Sequence, residues 1–153
     1  MKISARLDQF DGLASGLQSP LLLIIRLFWG WSFVQAGWGK LTHLDKTAAF
    51  FTDLHLPMPR LNALAAGSTE CIGGLLLLLG LFARPASVPL IFTMLVAYVT
   101  ADSEALHAIF SDTDKFTGAA PFLFLFAALL VLGFGPGRFS LDALRFKKSV
   151  AGR

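Results

Sequence analysis

The chain has 153 residues, of which 55% are hydrophobic and 15% charged, with a mean hydropathy of +0.66. Its apolar residues come in blocks split by short polar connections, which excludes an ordinary soluble domain; at about 20 helical residues per crossing it holds about four spans. The formal charge of +3 comes without a soluble basic groove or aromatic platform, which excludes a nucleic-acid reader.

Residues 1–19 carry Ile3, Leu7, Phe10, Leu13 and Leu17 at 3–4 spacing, with Lys2, Arg6, Asp8 and Asp11 on other faces. They read as an amphipathic cytoplasmic leader lying on the membrane, a disordered leader being the alternative. Pro20 suits a break or the first turn of the next helix. The apolar run from Leu21 has no small-residue cleavage pattern, so no cleavable targeting segment is expected. Residues 20–146 form the expected membrane domain and 147–153 a basic cytoplasmic tail.

The first span is expected over 21–41. Arg26, Gly30, Phe33, Gly37 and Lys40 share one stripe, Gln35 falls on another side, and Trp38 suits an interfacial anchor. Residues 47–56, with Phe50, Phe51 and Leu54, read as a surface helix stopped by Leu56-Pro57-Met58-Pro59. The second span, 61–83, places Ala63, Gly67, Glu70 and Gly74 on one face, where small residues admit a second helix and Glu70 points into the contact. The single cysteine, Cys71, excludes an intrachain disulfide and a CxxC motif, and reads as a packing residue.

Arg84-Pro85 is expected to turn the chain into a third span, 86–101, with a helical continuation through Asp102, Glu104 and His107. An acidic segment, 102–117, precedes a charge-free fourth span over 116–134. Gly135-Pro136-Gly137 ends that span, and Ser140 is placed to cap a short amphipathic helix with Leu141, Leu144 and Phe146, followed by Lys147 and Lys148. The fold class is all-α, an integral membrane four-helix bundle with amphipathic N-terminal and C-terminal surface helices. Lys and Arg at 2, 6, 84, 138, 145, 147, 148 and 153 share one side, against 40, 46, 60 and 115 on the other, which puts both termini in the cytoplasm.

Depth bookkeeping places Glu70 about 14 Å below the outer edge and Arg26 about 9 Å above the inner edge, an axial gap of about 7–8 Å that an arginine stem spans. The expected pair is therefore Arg26–Glu70, with Lys40 near Asp102; Lys40–Glu70 is the alternative. Gln35 and Asp102 lie at intermediate outer depths. Such charges either staple helices in register or line a proton, ion or quinone pathway. His43, His55 and His107 fall together on the external side with Met58, and such ligands suit copper. They form no His-x-x-His or comparable pair, so they are weak metal candidates. No GxGxxG, P-loop or nucleophile-elbow motif points to soluble nucleotide chemistry.

Four elements taken in order carry a family resemblance: Leu27-Phe28-Trp29-Gly30 with Gly37-Trp38-Gly39-Lys40-Leu41; Leu56-Pro57-Met58-Pro59; Glu70-Cys71-Ile72-Gly73-Gly74 running on to Gly80-Leu81-Phe82-Ala83-Arg84; and Gly135-Pro136-Gly137-Arg138-Phe139-Ser140-Leu141-Asp142. Together they resemble the DoxX family of small bacterial membrane proteins over roughly residues 20–146. The resemblance implies a multi-pass protein of the bacterial inner membrane, related to membrane subunits of thiosulfate:quinone oxidoreductases. It carries over Lys40 and Glu70 as motif positions, with Gly37 and the Gly-Pro-Gly turn.

The leading expectation is a subunit of a quinone-linked redox or oxidative-stress complex. Glu70 with Lys40 or Arg26 would form its polar centre, and Gln35 and Asp102 join Glu70 and Lys40 as candidates around a quinone head group. Expected partners are the lipid bilayer and other proteins of the redox complex, and a homo-oligomer is compatible with the sequence. The rivals are a non-catalytic assembly or binding subunit, and a small transporter or metal-handling protein.

Overall fold

The computed structural model describes residues 2–145, with side chains from Ser15 onward. Its regular elements are α1 (Lys2–Thr42), α2 (Leu44–Asp53), α3 (Pro59–Leu79), α4 (Ala83–Thr100), α5 (Ser103–His107), α6 (Thr113–Gly118) and α7 (Ala120–Phe134). Residues 141–145 are also helical, and no strand occurs among the described residues. Three helical segments are long and apolar enough to cross a membrane: Ser15–Thr42, Pro59–Leu79 and Ala83–Thr100. Ala120–Phe134 is a shorter apolar helix.

Several boundaries differ from the sequence expectation. One helix runs unbroken through Pro20. The hydrogen bond lost there is a single one, and good helix formers continue on both sides. The turn expected at Arg84-Pro85 lies earlier, because Gly80 (φ 66°) ends α3 in the left-handed region and the Leu81 N–H reaches back to Leu76 O at 3.0 Å. Helical continuation past Thr100 stops at Asp102 (φ −116°, ψ 34°), and α5 begins afresh. The fourth apolar stretch divides at the extended Ala119, and Pro121 occupies the first turn of α7. The amphipathic packing expected of residues 1–14 and of Phe146, Lys147 and Lys148 lies outside the described side chains.

Helix α1 packs chiefly on α3, and α4 on α7 and α3. The α1–α3 contact is backbone on backbone. An added Cβ on Gly30 would lie 3.0 Å from Gly74 O, and one on Gly37 would lie 2.6 Å from Gly67 O and fall on the Cys71 amide. Only glycine permits that approach. Phe33, Leu77, Leu90, Met94, Ala128 and Val131 form the buried core between the helices. The Phe124 ring meets Phe33 and Trp29 edge-on, at centroid distances of 4.7 and 5.0 Å, and so joins α7 to α1.

At the Arg26 end the C-terminal segment closes the bundle. Asp142 accepts from the Phe82 and Ala83 N–H groups (2.9 and 3.1 Å) and donates its own N–H to Gly80 O (3.0 Å). Ser140 Oγ accepts from the Ala143 N–H at 3.2 Å, the cap expected from the sequence. At the opposite end α2 packs on α3, and the loop after it turns through His55 (φ 57°) and Met58 (φ 45°), both left-handed.

A candidate polar cavity beside Lys40 and Glu70

The glycine contacts fix the level of each α1 residue against α3. Gly30 faces Gly74 and Leu78, and Gly37 faces Gly67 and Cys71. Glu70 therefore sits opposite residue 36 or so of α1. Lys40 lies about four residues, or about 6 Å, nearer the α2 end. Helical side chains lean toward the N-terminus of their helix, so the Lys40 stem descends toward Glu70. Its Nζ donates to Glu70 Oε2 at 2.6 Å. Glu70 is 2% exposed, whereas the Lys40 side chain is 30% exposed.

The expected Arg26–Glu70 pair is not formed. Arg26 lies level with Gly80, about ten residues or about 15 Å along the axis from Glu70. Its Nη2 donates to Phe139 O at 2.6 Å. The depth estimate failed because it measured each helix from its own assumed edge, while the register is set by glycine contacts between the helices.

Beside the Lys40–Glu70 pair lies a cavity of about 630 Å³ between α1, α2, α3, α4 and α7. That volume is in the range of small-molecule sites. Phe51, Leu54 and Leu56 contribute to it from the α2 region, and Phe92 and Phe124 from α4 and α7. Its polar groups are Lys40, Glu70, Asn62, Thr69, Thr93, Thr100 and Asp102. The Asn62 amide is held by Pro57 O at 2.5 Å, and the Thr93 and Thr100 hydroxyls by Pro89 O (2.9 Å) and Val96 O (2.8 Å).

A sequence profile of the DoxX family matches residues 21–103, over half of the chain. An uncharacterized membrane protein of Mycobacterium tuberculosis is 32% identical over 139 residues, covering 86% of this chain and 85% of that protein. The inner membrane protein YphA of Escherichia coli is 33% identical over 128 residues, covering 80% and 88%. The chain belongs to the DoxX family. No solved structure matches it.

Of the site residues expected in this DoxX-family chain, Lys40, Glu70 and Asp102 line one cavity, while Arg26 and Gln35 do not. Gln35 is exposed on the outer face of α1. His43, His55 and His107 are each exposed, and no three His, Cys, Asp or Glu side chains gather into a metal-sized group among the described residues. Reasoning from charge alone missed Asn62, Thr69, Thr93 and Thr100. Their signal was present in the sequence, since Asn62 and Thr69, like Thr93 and Thr100, are seven apart on one helix face.

Proposed function

We propose that this DoxX-family protein is an inner-membrane subunit of a quinone-linked redox assembly and that its cavity receives a quinone head group. The observation supporting this most directly is the Lys40–Glu70 pair at the wall of a largely apolar cavity. A flat quinone ring would be held between apolar and aromatic walls such as Phe51, Phe92 and Phe124, with the polar lining residues available to its carbonyls. Bound quinone supplies two-electron, two-proton chemistry, the electrons coming from a sulfur-oxidising partner protein. Lys40 has ammonium hydrogens left over from its bond to Glu70, and one of them would be available to a ring carbonyl. Glu70 holds Lys40 in place, and its carboxylate accepts and passes a proton.

In the membrane, residues 20–146 form the spanning unit, 1–19 a cytoplasmic leader continuous with α1 and 147–153 a basic tail, with both termini cytoplasmic as the distribution of Lys and Arg supports. A second reading, a non-catalytic assembly subunit, is favoured by the directness of the 2.6 Å ion pair, which staples α1 to α3. Glu70→Gln separates the two, because the amide still accepts from Lys40. With the chain purified alongside its partners, loss of quinone-dependent turnover in a normally folded variant supports the proton role. Parallel loss of folded protein and turnover supports the staple.

A further inference from the structure

At the Arg26 end, a second cavity of about 790 Å³ opens between the α3–α4 turn and the C-terminal segment. Arg84 and Arg145 stand in its wall, and neither meets a carboxylate within ion-pair distance among the described residues. Arg84 Nη2 donates to Gly133 O at 3.3 Å, and the Arg145 guanidinium lies 4.7 Å from the centre of the Phe82 ring. Among the described residues Asp142 is the one carboxylate lining this cavity, and both of its oxygens already accept from backbone N–H groups.

Behind the lining residue Ser140 lies a third guanidinium. Arg26 is 1% exposed, and among the described residues its Nε and Nη1 have no hydrogen-bond partner. A Cβ built on Gly80 would fall on Arg26 Nη1 and lie 2.6 Å from Ser140 Cβ, so the buried charge sits against the floor. Two exposed guanidinium groups and one buried one thus lie about a single carboxylate among the described residues, and the buried charge is the least screened of the three.

We propose that this cavity binds the phosphate ester of an anionic ligand, with Arg84 and Arg145 as its direct contacts and Arg26 as the fixed charge beneath. Its location at the ends of α3, α4 and α7, with the exposed Phe82 in its wall, suits a phospholipid head group from the adjoining leaflet. A free phosphate ester shares that chemistry. The site is independent of the quinone cavity.

The full chain in mild detergent is to be offered phosphatidylglycerol, phosphatidylcholine or inorganic phosphate, with retention read by native mass spectrometry and melting by circular dichroism. Wild type retains phosphatidylglycerol over phosphatidylcholine, and Arg84→Gln and Arg145→Gln each weaken retention about fivefold. The exposed Arg138→Gln, outside the cavity, retains lipid as wild type does. A rise in melting temperature with inorganic phosphate alone, absent in Arg84→Gln, supports the same site with a soluble source. Equal retention of both lipids, or unchanged retention in normally folded Arg84→Gln and Arg145→Gln with no phosphate effect, overturns the proposal.

Discussion

Lys40 Nζ lies 2.6 Å from Glu70 Oε2, and the two partners differ sharply in burial. The carboxylate is enclosed between α1 and α3, while the lysine stem runs from there toward the α2 end. The glycines beneath them set the register that makes the pair possible.

That asymmetry predicts unequal responses to mutation. Lys40→Met leaves the buried Glu70 carboxyl without its cation and costs about 3–5 kcal/mol, the range for breaking a buried pair. Glu70→Gln leaves the cation partly hydrated and still hydrogen-bonded, and costs less. Lys40→Met combined with Glu70→Leu recovers most of the loss, because no charge is then left alone. Unfolding in mixed detergent–SDS micelles measures all three.

Gly37 and Gly39 are two residues apart and predict opposite results. A Cβ on Gly37 runs into the α3 backbone at Gly67 and Cys71, whereas one on Gly39 meets nothing within 4 Å. Gly37→Ala destabilises by about 1–3 kcal/mol through overpacking. Gly39→Ala stabilises by about 1 kcal/mol through helix propensity. The same unfolding assay checks both.

Asp142 ties the α3–α4 turn to the C-terminal segment through two backbone N–H groups. Asp142→Ala leaves those donors unmet and costs about 1–2 kcal/mol, as does loss of a helix N-cap. Asp142→Asn retains one acceptor and costs less. Hydrogen exchange at the Phe82 and Ala83 amides reports the loss directly.

Outside the spanning helices, Glu104 accepts from Lys115 at 2.9 Å. That hydrogen bond and the lysine charge hold the Glu104 carboxyl below the usual carboxylate range. With the folded value depressed, the contact's contribution is present above the unfolded pKa and is lost as pH falls through the folded one. Carbon NMR titration of Glu104 shows a depressed midpoint, and Lys115→Gln moves it back up.

The helical membrane fold was legible because apolar block length and the placement of Gly and Pro are local signals. The small-residue face of α3 was legible for the same reason, through Gly67 and Gly74. The partner of Glu70 was not, since it depends on where Gly30 and Gly37 lock against α3, a relation between two helices that neither sequence segment carries. Pro20 misled in the other direction: a local rule for a break was overridden by continuous helix formers around it. The role of Asp142 was hidden because its partners, Phe82 and Ala83, lie about 60 residues earlier in the chain.

The proposed quinone site beside Lys40 and Glu70 is open to direct measurement. Ala97 and Ala66 line that cavity from α4 and α3, and a phenyl ring at either position fills part of it. The direct measurement is equilibrium binding of ubiquinone-1 to the purified chain in nanodiscs, with wild type compared to Ala97→Phe and Ala66→Phe at matched folded content. Wild type is expected to bind saturably near one quinone per chain, and both filled variants to lose that binding. Equal, non-saturable partitioning of ubiquinone-1 into all three preparations would contradict the proposed site.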